Sequence, residues 1–218
     1  MKVTAFIPMK LNNERTPGKN TKPFSDGTPL CHFVQKALLQ VPEVDEIIAF
    51  CSDERIQDYL LPGVKLIKRP TSLDTKETLC GDIIKAFLEM HKSDIYVMSH
   101  ATSPFIKPER FSQCINAVKS GQYDSAFACK KLANFIWYQG KPLNFKLDKA
   151  PRTQDMEPAY CELSTPYVFT RAVFDKYHGR SGENPFMCEC TEVESIDVDY
   201  PEDFDLADIV YTNLIKGR

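Results

Sequence analysis

Short apolar segments alternate with helical patterns through the first half of the chain, and this alternation narrows the choice of fold more than any other feature. The strand candidates are Val3–Ile7, Glu46–Cys51, Val64–Ile67 and Ile95–Ser99, and the helix candidates are Leu30–Leu39, Asp53–Leu60, Thr78–His91 and Pro108–Lys119. Strands and helices in regular succession are typical of βαβ units, whose strands pair in parallel. Because 218 residues can bury one sizeable core, we predict a single α/β domain over residues 1–218, with a mostly parallel sheet flanked by helices.

One helix candidate has the apolar spacing of a buried face, and another has residues that mark its two ends. Apolar residues recur with helical spacing along Thr78–His91 and predict one buried face; they are Leu79, Ile83, Ile84, Phe87 and Leu88. Proline in the first turn and Gly121 just past the end favour the limits of helix Pro108–Lys119.

The alternation of strand and helix candidates ends after Cys129, where β-like segments are joined by loops. These segments are Asn134–Tyr138, Gly140–Phe145 and Thr165–Thr170. We interpret residues 130–165 as a β-rich excursion from the main sheet, because a chain of this length can spare it without a second core. Its aromatic run of Phe135, Trp137 and Tyr138 suits an interface, and ordinary core packing suits it nearly as well.

Composition and charge argue against several classes of partner. The formal net charge of −3 leaves no basic surplus for coating a nucleic acid. No segment reaches the ~20 apolar residues that cross a bilayer, and the first residues do not form a signal peptide. We therefore predict a cytoplasmic protein that binds neither nucleic acid nor membrane. Most of the eight cysteines lie in apolar runs that predict buried thiols, and Cys188-Glu-Cys190 matches no common zinc motif.

A polar, cationic loop follows the first strand candidate. It contains the basic residues Lys10, Arg15, Lys19 and Lys22 and one acid, Glu14. Because ligands of α/β folds usually lie at the carboxyl ends of strands, this cluster predicts a polyphosphate site. Pro17-Gly18 adds a turn signal, since proline presets one turn position and glycine allows the positive φ of the next. Such a turn aims Lys19 and the Asn20 amide at a phosphate. The alternative interpretation is a solvated surface loop.

Two aspartates near the end of the chain are the best candidates for metal ligands. Asp197 and Asp199 alternate in what reads as a strand, so both carboxylates would face one side. Paired carboxylates suit Mg²⁺, which takes its other ligands from phosphates and water. Pro201, followed by two acids, predicts the start of a helix. In the alternative interpretation Asp199 is the cap of that helix.

Several segments spread along the chain together resemble one family. The basic loop resembles the start of the cytidylyltransferases that activate sialic acid and related sugar acids, whose pattern is roughly Pro-Ala-Arg-Gly-Gly-Ser-Lys-Arg-x-Pro-Gly-Lys-Asn. The matching residues are Pro8, Arg15, Pro17, Gly18, Lys19 and Asn20. Lys10 stands in place of an arginine, Leu11-Asn12-Asn13 in place of Gly-Gly-Ser, and Glu14 in place of a lysine. Asp197-Val-Asp199 with the following helix is similar to the metal-binding segment of that family.

Three further segments are similar to family elements of moderate specificity. Arg69-Pro-Thr-Ser-Leu73 matches the Arg-Pro-x-x-Leu nucleotide loop, which implies that Arg69 contacts the cytidine, with Thr78 as a second contact or a helix cap. His100-Ala-Thr102-Ser103-Pro stands where the family has Gln-Pro-Thr-Ser-Pro and implies contacts to the acceptor. A histidine there can also carry charge near neutral pH. Arg152-Thr-Gln154-Asp155 is similar to an Arg-x-Gln-Asp element and implies a clamp for a substrate carboxylate.

The resemblance implies a Rossmann-like nucleotidyltransferase that moves CMP from CTP to a hydroxyl of an acidic sugar and releases pyrophosphate. The resemblance implies that Lys10, Arg15 and Lys19 neutralise the triphosphate and that Mg²⁺ is held by Asp197 and Asp199. It also implies that the excursion joins two copies in a homodimer and covers the partner's site. Two alternatives stay open. One keeps the chemistry with a phosphorylated sugar or polyol as acceptor and a CDP product, and the other is a nucleotide- or sugar-binding protein without turnover.

Overall fold

The architecture is a seven-stranded sheet with helices on both faces. A computed structural model describes residues 1–13 and 15–216, so Glu14 of the basic loop lies outside the described residues. The strands are β1 (Val3–Met9), β2 (Glu46–Cys51), β3 (Val64–Lys68), β4 (Ile95–Met98), β5 (Ser125–Leu132), β6 (Trp137–Tyr138), β7 (Lys141–Pro142), β8 (Ala159–Phe169) and β9 (Pro185–Glu189). The helices are α1 (Leu30–Leu38), α2 (Cys80–Met90), α3 (Pro108–Lys119), α4 (Arg171–Tyr177) and α5 (Pro201–Val210), the last continuing into a π-helical turn at Tyr211–Ile215.

The sheet runs in the order β3-β2-β1-β4-β8-β5-β9. Strands β1 to β4 pair in parallel, as does β5 with β9, whereas β8 is antiparallel to both of its neighbours. The predicted α/β fold with a mostly parallel sheet is therefore confirmed. Among the described residues, no helix has the length and apolar character needed to cross a bilayer.

Alternation along the central strand explains the two main cores. Ala5 and Ile7 of β1 pack on one face of the sheet, and Phe6 packs on the other. The Phe6 ring stacks on Phe87 of α2, with 4.1 Å between ring centroids. Burial of large apolar groups on both faces is the pattern of a parallel sheet covered by helices. A third, smaller cluster around Phe24 and Phe204 packs α5 against the chain between β1 and α1.

Some local predictions were wrong. Residues predicted as helix over Asp53–Leu60 form only a 3₁₀ helix at Glu54–Tyr59. Leu79, predicted to lie on the buried face, precedes α2 and is 70% exposed. The limits of α3 agree with the prediction, and Gly121 follows it with φ of +75°.

Residues 133–158 connect β5 to β8 outside the main sheet. They contain the two-residue strands β6 and β7, which pair with each other, and a short 3₁₀ helix at Thr153–Asp155. The long strands β5 and β8 extend side by side towards this segment, with Leu132 opposite Ala159. The segment therefore stands at the end of a β-hairpin arm.

Candidate active site

A cleft opens where the strand order changes direction. After β1, the chain places β2 and β3 on one side and then crosses to place β4 on the other. The carboxyl ends of strands at such a switch point are the usual ligand position in α/β sheets. A cavity of about 420 Å³ lies there, with Pro8 from β1 and Met98 from β4 in its wall. A second cavity of about 410 Å³ adjoins it and shares Lys10, Arg15 and Lys19. We call the two together the strand-end cleft.

The basic loop is folded by the turn that its sequence predicts. The Lys19 N–H donates to the Thr16 carbonyl at 3.2 Å, and Gly18 has φ of +66°, so the predicted turn is confirmed. The Asn20 amide lines the cleft but donates to the Lys10 carbonyl at 2.9 Å, which closes the loop on itself. Lys22 points elsewhere, with its ammonium 3.9 Å from the Phe204 ring centroid. Three of the four predicted cations therefore line the cleft.

Asp199 joins two of these cations. Its carboxylate accepts from the Lys19 ammonium at 3.0 Å and from the Arg15 guanidinium at 2.9 Å. Lys19 is nearly buried and also donates to the Val198 carbonyl at 2.8 Å. Burial alone would raise the pKa of Asp199, but Lys19 and then Arg15 outweigh it and lower the pKa. The segment that contains Asp199 is thus bonded to the basic loop across the cleft.

Asp197 faces the same cleft without such a partner. Its side chain forms no ion pair with another described residue, and desolvation in the cleft raises its pKa. The negative charge of Asp199 also raises the pKa of Asp197. A divalent cation between the two carboxylates would relieve both effects. The donor set therefore fits Mg²⁺, although no group of three or more His, Cys, Asp or Glu among the described residues is arranged to hold a metal.

The backbone around these aspartates differs from the prediction. Residues 196–199 belong to no strand; the Val198 N–H donates to the Thr102 carbonyl at 2.8 Å, and the Asp199 carbonyl accepts from the Thr16 hydroxyl at 3.0 Å. Asp199 is not the cap of α5, because the N-cap residue is Tyr200. Asp203 instead accepts from the Asp199 and Tyr200 N–H groups at 3.0 and 2.8 Å. Both the strand and the capping interpretations were wrong, yet the two carboxylates share one cleft.

Arg69 and Thr78 also line the cleft. Arg69 is 3% exposed and its guanidinium pairs with Asp74, whereas its Nε atom has no hydrogen-bond partner among the described residues. Thr78 does not cap α2, which begins at Cys80 with Leu79 as its N-cap residue. The Thr78 hydroxyl lies 3.1 Å from that of Thr75. Both predicted side chains are therefore positioned to meet a ligand in the cleft.

His100 lines the larger of the two cavities of the cleft and is absent from the cavity beside the basic loop. We call its surroundings the His100 end of the cleft. The His100 backbone N–H donates to the Thr165 hydroxyl at 2.7 Å, while its ring Nε2 is buried without a hydrogen-bond partner. Burial, then the charges of Arg180 and Lys19, lower its pKa to about 4, so the ring is neutral at neutral pH. The charge that a histidine can carry near neutral pH is therefore disfavoured at this position. Thr102 also lines the cleft, but the Ser103 hydroxyl is buried against that of Ser164 at 2.8 Å.

The predicted clamp of Arg152 and Gln154 lies away from this cleft. Both residues are exposed near the tip of the β5–β8 arm. Arg152 donates to the Asp155 carboxylate at 2.7 Å, within its own turn. Within one chain, the structure does not bring these two residues to the other predicted site residues.

Several cleft residues were not predicted from the sequence. Thr75 and Lys76 line the cleft beside the basic loop, and their position between Arg69 and Thr78 was the available signal. Asn13 lines it with a buried side-chain oxygen that has no partner among the described residues. Cys80 contributes from the first turn of α2. No local pattern marked Asn13 or Cys80, because their role depends on how distant segments meet.

Comparison with known proteins decides the family. A family model described as cytidylyltransferase matches residues 4–207. The chain belongs to the cytidylyltransferase family. The predicted resemblance is therefore confirmed.

Named relatives of this cytidylyltransferase-family chain are similar at modest identity. An N-acylneuraminate cytidylyltransferase A from Danio rerio is 24% identical over 94% of this chain and 50% of its own length, so the chain spans about half of that relative. A CMP-N,N'-diacetyllegionaminic acid synthase from Legionella pneumophila is 25% identical over 95% of both chains.

Solved structures agree on the cytidylyltransferase fold. A CMP:2-keto-3-deoxy-manno-octonic acid synthetase complexed with CTP has a TM-score of 0.73 at 18% identity, covering 97% of this chain and 99% of its own. A 4-diphosphocytidyl-2C-methyl-D-erythritol synthase from Anaerococcus prevotii has a TM-score of 0.67 at 14% identity, covering 97% and 96%. At these identities the likeness supports the fold.

Proposed function

We propose that this protein transfers CMP from CTP to a hydroxyl of an acidic sugar and releases pyrophosphate. The observation that carries the proposal is the arrangement of Lys10, Arg15 and Lys19 against the carboxylates of Asp197 and Asp199 in one cleft. Cations on one wall suit a polyphosphate, and paired carboxylates suit the metal that accompanies it. Membership of the cytidylyltransferase family supports CTP as the nucleotide.

The chain's own residues supply binding and charge neutralisation. Transfer of a nucleotidyl group proceeds by attack of the acceptor hydroxyl on the α-phosphorus, with pyrophosphate as the leaving group, and needs no covalent intermediate on the protein. Lys10, Arg15 and Lys19 neutralise the triphosphate and the charge that develops on pyrophosphate. Arg69 and Thr78 hold the nucleoside end, where the Arg69 Nε, which has no hydrogen-bond partner among the described residues, is available as a donor.

Asp197 and Asp199 would hold Mg²⁺. When bound, such an ion neutralises phosphate oxygens and stabilises charge that develops on them. Asp197 is the more open ligand, because its carboxylate has no ion pair with another described residue and its pKa is raised. Asp199 would bind the ion through oxygens that now contact Lys19 and Arg15.

The acceptor in this proposal is a sugar acid. Relatives named for acylneuraminate and diacetyllegionaminic acid favour a sugar acid. A structural neighbour is named for a diphosphocytidyl methylerythritol product. This name favours the alternative function, in which a phosphorylated polyol accepts CMP and gives a CDP product.

A second copy of the chain is the proposed partner. The segment 133–158 exposes large apolar side chains that a single chain leaves uncovered; they are Phe135, Trp137, Tyr138, Leu143 and Leu147. Exposed aromatic clusters of this kind favour protein interfaces. Because Arg152 and Gln154 stand on the same arm, pairing of two arms would carry them towards the partner's cleft, where they could bind the acceptor.

Thermal unfolding followed by a pyrophosphate assay tests the proposal. A ligand at 100 times its Kd adds about 2.7 kcal/mol, so CTP with Mg²⁺ should raise Tm by several degrees and UTP, ATP and GTP by less. Pyrophosphate should then appear with N-acetylneuraminic acid, N,N'-diacetyllegionaminic acid or 2-keto-3-deoxy-manno-octonic acid. Turnover with 2-C-methylerythritol 4-phosphate alone would establish the rival, and no shift with any nucleotide would remove the proposal.

A further inference from the structure

We propose that Arg180 is a substrate-binding residue that recognises the carboxylate of the acceptor at the His100 end of the cleft. Arg180 follows α4 and belongs to none of the motifs that carried the family resemblance. The inference rests on the proposed function and names the group that selects an acidic acceptor.

The Arg180 guanidinium is held in a fixed position. Its carbon lies 3.5 Å from the centroid of the Tyr167 ring, and one terminal nitrogen donates to the Tyr167 hydroxyl at 2.8 Å. The same nitrogen lies 3.4 Å from a Glu162 oxygen, which already accepts a 2.6 Å bond from the Tyr167 hydroxyl. Stacking and hydrogen bonds together remove most of the freedom of a long side chain, so little more is lost when a ligand binds.

The other terminal nitrogen is directed at the cleft wall. It contacts the Cys80 sulfur at 3.2 Å, and Cys80 lines the strand-end cleft. A thiol is a weak acceptor, whereas a guanidinium can form two parallel bonds with a carboxylate. An incoming carboxylate would therefore replace a poor partner with a good one.

His100 provides a second, independent sign of a ligand at this end. Its ring lines the cleft with a buried Nε2 that lacks a hydrogen-bond partner among the described residues. A buried, unsatisfied ring nitrogen is costly unless a ligand or water bonds to it. The charge of Arg180 acts on this ring, which is consistent with their closeness. An acceptor between them would satisfy His100 with one polar group and Arg180 with another.

The balance of charge favours a carboxylate over a phosphate. Glu162 offsets part of the Arg180 charge, and the neutral His100 ring adds none. One partly compensated cation suits a monoanion better than a phosphate dianion, whose second charge would be left without a partner. The cations suited to phosphates, Lys10 and Lys19, lie on the basic loop.

Steady-state kinetics with an acid and its methyl ester test the assignment. The substrates are CTP and whichever of the three sugar acids releases most pyrophosphate, each compared with its methyl ester, which lacks the charge. The wild-type protein should prefer the acid in kcat/KM by roughly 10- to 100-fold, as expected for a charge-assisted contact. Arg180→Met should abolish that preference and leave the KM for CTP within about twofold. Arg171→Met is the matched control, because Arg171 is exposed and pairs with Asp175 on its own helix.

The outcomes separate the inference from the proposed function. An active Arg180→Met variant that still prefers the acid overturns the inference and leaves the function intact. Absence of pyrophosphate from the wild type with all three acids removes both. If Arg180→Met loses the CTP-induced rise in Tm, the Arg180→Lys variant decides. Lysine keeps the positive charge but cannot form two parallel bonds, so this variant should keep the fold and reduce the preference for the acid over its ester at least threefold. An unchanged preference contradicts the assignment.

Discussion

Asp199 is the acidic residue that pairs with two cations of the cleft. It joins Lys19 and Arg15 in the free protein and would have to exchange part of that bonding for a metal during turnover. Asp199→Asn should lower kcat by roughly 10²–10³-fold, the usual effect of losing one preorganised electrostatic contact. The CTP-induced rise in Tm without Mg²⁺ should be at least as large as in the wild type, because two cations are released to the triphosphate.

Asp205→Asn is the control for this variant, because Asp205 is exposed on α5. It should behave as the wild type in both assays. Equal kcat in Asp199→Asn and Asp205→Asn would show that the carboxylate has no part in turnover, and a stable complex that never yields pyrophosphate in any variant would favour the binding-protein alternative.

His100 should act as a neutral hydrogen-bonding group throughout the physiological range. Its pKa is lowered to about 4 by burial and by the neighbouring cations, so the charged form appears only in acid. The ring signals of His100 in NMR, assigned by their loss in His100→Gln, should stay constant between roughly pH 5.5 and 8. Because glutamine is also neutral, His100→Gln should keep the pH profile of kcat/KM. A change in the wild-type kcat/KM near pH 6.5 that is absent from His100→Gln would contradict this prediction.

At the scale of elements, helix α5 positions the segment that carries Asp197 and Asp199 through its first turn. Asp203 accepts the N–H groups of Asp199 and Tyr200, so it fixes both the helix start and the backbone of the catalytic candidate. Asp203→Ala should lower stability by about 1 kcal/mol, or about 2–4 °C in Tm, and should also lower kcat. Glu202→Ala, in the same turn and exposed, should change neither. A loss of stability without any loss of kcat would show that Asp199 does not depend on this bond.

The elements differ in how far their sequence determines them. Helix α3 could be predicted to the residue, because its proline and the following glycine act locally. The segment 196–199 could not, since alternating residues are equally compatible with a strand and with an extended loop, and only neighbouring strands decide between them. The position of Arg180 beside Cys80 depends on how the chain after α4 folds back over β8 and α2, for which no local signal exists.

At the scale of the whole molecule, a network of polar contacts around Glu46 ties together the amino ends of the sheet. Glu46 at the start of β2 lies 2.8 Å from Lys65 of β3, 3.0 Å from Lys2 before β1 and 2.9 Å from His91 after α2. The bond from Lys65 is the largest influence on Glu46, and with Lys2 and His91 it outweighs burial and lowers the pKa to about 2 from an ordinary value of 4.5. This network should therefore make part of the protein's stability depend on acid pH.

The sign follows from proton binding. Because the folded protein holds this proton less tightly than the unfolded chain, the contribution is complete above about pH 4.5 and is lost as the pH falls towards about 2. Glu46→Gln should lower Tm by about 2–4 °C at pH 7, corresponding to roughly 1 kcal/mol. The difference from the wild type should narrow as the pH drops below about 4.5. A gap that stays constant to pH 3, or one equal to that of the exposed control Glu89→Gln, would contradict the prediction.

The bond between Lys19 and Asp199 joins residues 180 positions apart. During synthesis on a ribosome, strands β1 to β4 emerge long before Asp197 and Asp199, so they can pair and carry the basic loop before the cleft has its acidic wall. In that interval the loop presents Arg15 and Lys19 without the carboxylate that later holds them. The cleft is therefore among the last parts of the molecule to be completed, and a nascent chain cannot carry out the proposed chemistry before its sheet is built.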